Sequence, residues 1–174
     1  MTENKLVNKD IKELMENDAV ALDNIGLGTT ETDTLENKFL LFKVGEEEFG
    51  IEIAFVQEII NIVPITQIPT TPSYVKGIIN LRGDIVPILE VRTRFMMPEK
   101  EYDDLTCIIV IENNADKIGL VVDQVHEVKF INKDKISAPP ATNLSYANQF
   151  VKNLGNIDDK VVLLIEANDL LYDE

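Results

Sequence analysis

The sequence predicts an all-β protein with short helices, built as two similar five-stranded β-barrel subdomains around a shared hydrophobic core. Two observations carry this prediction. From Phe39 onward the chain consists of short apolar runs separated by turn residues, and two of its segments recur later with the same apolar pattern. At 174 residues the chain can bury about 70% of its unfolded surface, which is enough for a stable core without cross-links.

The first predicted strands lie in FLLFKVGEEEFGIEIAFV, at residues 39–56. The runs FLLFKV and FGIEI flank the turn GEEE, and Ile51 and Ile53 alternate with polar residues as in a half-buried strand. The three adjacent glutamates at 46–48 could also be interpreted as a metal site. Because adjacent carboxylates in a hairpin turn cannot all face one ion, we predict a solvated turn there.

An internal repeat organises the rest of the chain. With an offset of 69 residues, Gly50 lies over Gly119 and the apolar residues that follow them also match. With an offset of 76 residues, VKGIINLRGDIVPILEV at 75–91 lies over VKNLGNIDDKVVLLIEA at 151–167. The loop SAPPATNLSYANQ can absorb the difference of seven residues. Because segments with one apolar pattern bury the same face, we predict two β modules of similar topology.

Three further elements follow from these modules. Pro87 lies inside an apparent strand, and since proline cannot donate a main-chain hydrogen bond, that strand should be an edge or carry a bulge there. The final strand of each module leads into a short helical stretch, VRTRF at 91–95 and ANDLL at 167–171. Two small barrels packed side by side would share an apolar seam and leave a groove between them.

Residues 1–37 differ from the body of the chain. They contain nine acidic and three basic residues, a net charge of −6, and GLGTTETDTLENK is rich in polar and turn-forming residues. Four apolar residues fall at helical spacing and favour a short amphipathic helix around residues 8–17, namely Val7, Ile11, Leu14 and Met15. Because isolated helices of that length are marginal in water, we expect this acidic extension to be frayed rather than docked.

The composition excludes several classes of function. A net charge of −15 argues against binding to nucleic acid or to an anionic membrane surface, since phosphate binding needs clustered Lys and Arg. No segment approaches the roughly 20 apolar residues of a membrane span, and no signal peptide is evident, so we expect a cytoplasmic protein. The single cysteine, Cys107, lies in the apolar run CIIVI, and we expect it to be buried rather than reactive.

Candidates for catalysis are few. The single histidine, His126, lies over Gln57 in the repeat, which favours a partly exposed polar side chain over a catalytic base. The sequence has no zinc-binding spacing, P-loop or dinucleotide-binding glycine motif, so we expect no metal and no cofactor. The remaining enzymatic alternative is a carboxylate pair of Asp84 and Asp123. A close, buried pair would support this alternative, whereas separated surface acids would dismiss it.

The body from Phe39 to Leu171 resembles the CheW family of bacterial chemotaxis adaptors. The resemblance depends on FLLFKVGEEEFGIEI, VQEI, TPSYVKGIINLRGDIVPILEVRTRF, GLVVDQVHEV and LLIEANDLL, in this order, and residues 1–37 lie outside it. It implies a CheW-like domain over residues 38–174 with two interleaved, SH3-like β-barrel subdomains. It also implies a non-catalytic adaptor that couples chemoreceptors to the histidine kinase CheA, whose own regulatory domain is similar to CheW.

The resemblance further implies residues that bind the receptor. Val56, Glu58, Arg82 and Val128 match functional positions of the family, and the receptor tip is an antiparallel helical hairpin that lies along the groove between the barrels. From apolar patterning alone, Val56 and Val128 are more often core residues than contact residues.

The surface that faces CheA lies on the first barrel of these adaptors, and we expect Ile65 and Ile85 to belong to it. The expected partners are therefore the chemoreceptor cytoplasmic tip and the regulatory domain of CheA, in receptor arrays at the membrane. The alternative function is that of a CheW-like scaffold module in a non-chemotaxis receptor–kinase pathway. Only the identity of the partners separates these two functions.

Arg82 lies in the turn NLRGD, where the second repeat has NID instead of NLR. Gly83 and Asp84 suit a tight turn, whereas an arginine contributes nothing to its geometry. We therefore predict that Arg82 lies at the mouth of the groove and bonds Glu58, main-chain carbonyl groups of the receptor, or both. The competing interpretation is an ordinary surface salt bridge.

Overall fold

The computed structural model describes residues 5, 8, 9, 11–13, 35–140 and 149–171. Its strands are β1 (Lys38–Val44), β2 (Glu47–Glu52), β3 (Val56–Asn61), β4 (Val75–Leu81), β5 (Asp84–Glu90), β6 (Cys107–Asn113), β7 (Asp116–Val122), β8 (Gln124–Phe130), β9 (Ile136–Ser137), β10 (Val151–Ile157) and β11 (Lys160–Ile165). The short helices α1 (Val91–Arg94) and α2 (Ala167–Leu171) follow β5 and β11, as predicted, and 3-10 turns lie at Ile53–Phe55 and Lys133–Lys135. Within the described ranges, no helix has the length and apolar character needed to cross a membrane.

The strands form two sheets. We call the sheet with the order β8-β1-β2-β11-β10-β9 the β1 subdomain, and the sheet with the order β3-β6-β7-β5-β4 the β6 subdomain. The β6 subdomain is one stretch of chain, from β3 to β7, inserted between β2 and β8 of the β1 subdomain. The subdomains are therefore interleaved, because each combines strands from both copies of the repeat. This arrangement confirms the predicted class, a mostly β protein with two similar subdomains, although the two-residue strand β9 gives the β1 subdomain six strands instead of the predicted five.

The internal repeat holds strand by strand. β1, β2 and β3 recur as β6, β7 and β8 at the offset of 69, and β4 and β5 recur as β10 and β11 at the offset of 76. In each subdomain a parallel strand, β11 or β5, pairs with the central antiparallel hairpin. The irregularities recur as well, since pairing skips Gln57 and His126 in β3 and β8, and Lys76 and Lys152 in β4 and β10. Because the bulges lie at equivalent positions of the two subdomains, the strands of both subdomains pair in the same register.

Strand alternation divides the apolar side chains between two kinds of core. In β1, Leu40 and Phe42 face a large core that is shared by both subdomains. Phe39 and Leu41 point to the opposite side, into a smaller core inside the β1 subdomain. The equivalent residues of β6 divide in the same way between the shared core and a small core of the β6 subdomain. The predicted shared core is thus present, and it joins the two sheets.

The expectation for Pro87 is met locally but not for the whole strand. β5 is not an edge strand, because it lies between β4 and β7, but Pro87 pairs with Ile78 of β4 and the pairing with β7 begins only at Ile88, so Pro87 itself has a single neighbouring strand. Cys107 is fully buried at the start of β6, and burial raises the pKa of its thiol to about 12. A thiol with so high a pKa remains protonated and is a poor nucleophile at neutral pH.

The N-terminal extension differs from expectation where it is described. Residues 5, 8, 9 and 11–13 are helical, the side chain of Asn8 bonds the main chain of Ile59 in β3, and Ile11 is buried in the shared core. The expected fraying is therefore not met at these two positions, because an edge strand offers main-chain partners that stabilise a short segment. The other apolar residues of the predicted helix, Val7, Leu14 and Met15, lie outside the described residues.

Candidate functional site

Arg82 and Gly83 form the two-residue turn between β4 and β5. Both have positive φ angles, 51° for Arg82 and 92° for Gly83, as in the hairpin turns whose twist matches that of the strands. The side chain of Asn80 accepts a hydrogen bond from the Gly83 N–H at 2.9 Å and closes the turn. The arginine thus occupies a left-handed conformation that suits glycine or asparagine better. A strained residue at an exposed turn points to a role outside the turn itself.

The guanidinium of Arg82 makes a two-pronged ion pair with Glu58 of β3. Nη1 donates to Oε1 at 2.6 Å and Nη2 donates to Oε2 at 2.7 Å. The hydrogen bond to Glu58, followed by its charge, raises the pKa of Arg82. The arginine side chain is 72% exposed and that of Glu58 is 20% exposed, so water screens the pair and it adds little to stability. Glu58 is one of the two partners predicted for Arg82, and the other is a main-chain carbonyl group of the receptor.

The bulge at Gln57 determines where the side chains of β3 point. Because the pairing with β6 skips Gln57, Val56 and Ile59 both face the shared core, and Glu58 points to the opposite face, towards Arg82. Val56 is only 1% exposed, so its side chain cannot contact a partner unless the residues that cover it move. Val128, in the equivalent strand β8, is half-buried against the same core.

The two residues expected to face CheA lie in the β6 subdomain. Ile85, near the start of β5, is 60% exposed, which is unusual for an isoleucine in a strand. Ile65 is half-buried against the small core of this subdomain. Its position depends on the next residue, Thr66, which exchanges two main-chain hydrogen bonds of 2.9 Å with Ile78 of β4. The segment that carries Ile65 is thereby fixed to the edge of the sheet.

Gly77 permits this close approach, and replacing it with alanine should destabilise the protein by about 2–4 kcal/mol. Gly77 has a φ of 151°, and a Cβ atom there would lie 2.2 Å from the carbonyl oxygen of Thr66, a backbone atom that cannot move aside alone. Urea unfolding measures the change. The matched control is Gly83→Ala, where φ is also positive but a Cβ atom would meet nothing within 4 Å. An equal loss in both variants would contradict the proposed clash.

Asp84 and Asp123 do not form a carboxylate pair. Asp84 bonds Nζ of Lys117 at 2.5 Å, at the beginning of β7, whereas Asp123 follows the end of that strand, about 20 Å along it. Asp123 accepts two hydrogen bonds from Arg92, at 2.5 and 2.8 Å, and one from the N–H of Gly45 at 2.8 Å. Burial alone would raise the pKa of Asp123, but Arg92 and Gly45 outweigh burial and lower it. Both carboxylates therefore have structural partners of their own.

The other polar candidates also have local partners. Nδ1 of His126 lies 2.9 Å from Oε1 of Glu48, and the side chain of His126 is 30% exposed, as expected for a partly exposed polar residue. It occupies the same bulge position as Gln57, whose amide donates to Glu112 at 3.0 Å. Among the residues that the structure describes, no group of three His, Cys, Asp or Glu side chains is arranged to hold a metal ion.

Sequence reasoning missed the contribution of Asn8. Its side chain amide is paired with Ile59, which is 51 residues away, beside the predicted site residue Glu58. The helical spacing of the N-terminal apolar residues indicated an amphipathic segment, and this signal correctly singled out Ile11. It carried no information about where the segment docks, because the repeat that organises the body does not include residues 1–37.

Two interleaved β-subdomains that present a charged turn and an exposed isoleucine define a β-rich module. The chain belongs to the CheW-like family, since a CheW-like domain is matched over residues 38–174.

Similar proteins agree with this membership. The chemotaxis protein CheW of Klebsiella aerogenes is 35% identical over 142 residues, which cover 82% of this chain and 86% of that protein. The chemotaxis protein CheW of Bacillus subtilis is 29% identical over 146 residues, which cover 84% of this chain and 93% of that protein. The crystal structure of the scaffolding protein TtCheW from Thermoanaerobacter tengcongensis has a TM-score of 0.74 at 36% identity, and the match covers 79% of this chain and 94% of that one.

Proposed function

We propose that this protein is a non-catalytic adaptor that couples chemoreceptors to the histidine kinase CheA in bacterial chemotaxis. It acts in the cytoplasm and is recruited to membrane-associated receptor arrays. The observation that carries the proposal is the CheW-like domain over residues 38–174, since the resemblance to CheW implies a non-catalytic adaptor. Residues 1–37 lie outside the matched domain.

The receptor binds beside β3, where its helical tip meets the pair of Glu58 and Arg82. Two features support this placement. The guanidinium is largely exposed and keeps donors in reach of a partner while two of them bond Glu58, and a planar guanidinium suits recognition of main-chain carbonyl groups. Val128 contacts the receptor from β8. Val56 contacts it from β3 when the residues that cover Val56 are displaced.

CheA binds the β6 subdomain at Ile85, next to the segment that carries Ile65. An isoleucine with 60% of its surface exposed is the kind of aliphatic contact that protein interfaces bury. The two binding surfaces lie on different residues of one body, so the adaptor can hold receptor and kinase together. Holding both partners raises their effective local concentration, and an adaptor that catalyses no reaction can control a kinase in this way.

Binding measurements with two purified partners test this function, namely the regulatory domain of CheA and a cytoplasmic hairpin fragment of a chemoreceptor. The wild-type protein should bind both. Ile85→Glu should weaken binding to CheA by at least about tenfold, because it places a charge in an apolar contact, and should leave binding to the receptor fragment unchanged. Val161→Glu is the matched control, since Val161 is the repeat equivalent of Ile85 and is 59% exposed. A wild-type protein that binds neither partner would contradict the proposed function.

A further inference from the structure

Asn8 of the N-terminal extension is docked on the outer edge of β3. β3 is the outermost strand of the β6 subdomain, and no other strand among the described residues pairs with the outer side of its main chain. Nδ2 of Asn8 donates to the carbonyl oxygen of Ile59 at 2.7 Å, and the N–H of Ile59 donates to Oδ1 of Asn8 at 2.9 Å. A side-chain amide has the donor and the acceptor of a peptide group. Asn8 therefore takes the place of one residue of a neighbouring strand.

The docked segment is amphipathic. Ile11, one helical turn after Asn8, is 2% exposed and belongs to the shared core cluster that includes Val56 and Ile59. The positively charged Lys9 lies on the opposite side, where it is 71% exposed and pairs with Glu13 at 3.6 Å. The segment thus presents one face to the body and the other to water, which is how a partner helix lies on a binding surface.

The edge that this segment covers adjoins the residues proposed to bind the receptor. Ile59 directly follows Glu58, whose carboxylate bonds Arg82, and Val56 lies three residues earlier in the same strand. A receptor helix that reaches Glu58 and Val56 must approach the edge where Asn8 is bound. Val56 is 1% exposed while the segment is docked.

We infer that the N-terminal segment around Asn8 and Ile11 is an internal competitor of the receptor helix, bound to the edge of β3. The inference rests on the proposed function, because it assumes that the receptor binds beside β3. Among the residues of this segment that the structure describes, Asn8 and Ile11 contact the body, and because a short helix is marginal in water, we expect the docking to be reversible. The apparent affinity for the receptor falls in proportion to the undocked fraction, about tenfold where nine-tenths of the molecules are docked.

The test uses the full chain with Asn8→Ala and Ile11→Ala combined, and calorimetry against a cytoplasmic hairpin fragment of a chemoreceptor. Hydrogen exchange at the Ile59 amide should be faster in the double variant, because its partner Oδ1 is gone. Binding of the fragment should be about threefold to tenfold tighter. Lys9→Ala is the matched control, because it lies on the water-facing side of the same segment and should change neither quantity.

The possible failures are distinguishable. If the fragment binds the wild type and the double variant with equal affinity, the competition is overturned and the proposed function stands. If the fragment binds none of the three proteins, the proposed function is overturned and the competition with it. Unchanged exchange at Ile59 in the double variant would overturn the docking itself.

Discussion

Replacing Arg82 with alanine should weaken binding of a chemoreceptor cytoplasmic fragment by at least about tenfold while the melting temperature stays near the wild-type value. The two effects separate because the ion pair with Glu58 is exposed and adds little to folding, and because alanine is as strained as arginine at the positive φ angle of this turn. Calorimetry against the fragment measures the affinity, and thermal unfolding measures the stability.

Two companion variants make the result specific. Arg82→Asn provides a side chain that tolerates the left-handed conformation, so it should raise the melting temperature slightly and still lose binding. Asp158→Ala changes the equivalent turn of the β1 subdomain, where Asp158 has a φ of 50°, and should leave binding unchanged. Together these variants separate the chemistry of Arg82 from the geometry of its turn.

The pairing itself can be measured with Glu58→Gln. If Glu58 acts by orienting Arg82, the single variants and the double variant should lose similar affinity, because either change breaks the same unit. Additive losses would show that the two residues contact the partner independently. An Arg82→Ala protein that remains folded and keeps full binding to both receptor fragment and CheA would refute the role of Arg82.

Most of the fold was predictable because it follows from the local periodicity of apolar residues in the sequence. Strand alternation fixes which face is buried, so two segments with one apolar pattern, such as those beginning at Val75 and Val151, form the same hairpin. The position of Pro87 was predictable for a similar reason, since its missing N–H is a property of one residue. Both signals operate within a few residues of the sequence.

The candidate site was only partly predictable, because its geometry depends on contacts between distant residues. The pair of Glu58 and Arg82 was anticipated from the resemblance, but the left-handed conformation of Arg82 follows from the twist of the whole hairpin. The burial of Val56 follows from a bulge at Gln57, and no local sequence pattern predicts that bulge. The docking of Asn8 on Ile59 joins a segment outside the repeat to one inside it, and no periodicity connects the two.

The shared core has a mechanical consequence, because the same side chains belong to both subdomains. Four phenylalanines form a continuous row in it, with ring centroids 5.8 Å apart for Phe42 and Phe49, 5.1 Å for Phe49 and Phe95, and 5.3 Å for Phe95 and Phe150. Phe42 and Phe49 belong to the β1 subdomain, whereas Phe95 follows α1 at the end of β5 of the β6 subdomain. The row therefore crosses from one subdomain to the other.

Phe49→Ala should lower the free energy of unfolding by about 3–5 kcal/mol, since Phe49 is fully buried at the centre of this row and its loss leaves a cavity. Because the core is shared and the chain interleaves the sheets, both subdomains should lose the same stability and unfold in one transition. Hydrogen exchange of the slowest amides in β1 and in β6 measures the two subdomains separately, and their protection should fall equally.

Phe49→Leu is the control, because it keeps most of the buried volume and should cost about 1–1.5 kcal/mol with the same equality between β1 and β6. A loss of protection confined to β1 would show that the subdomains are energetically separate. Equal losses would mean that a strain applied beside β3 reaches both sheets at once, because neither can yield without the core that it shares with the other. In that case a receptor and a kinase bound to different surfaces of this adaptor are in contact with one cooperative body, which is the physical requirement for coupling between them.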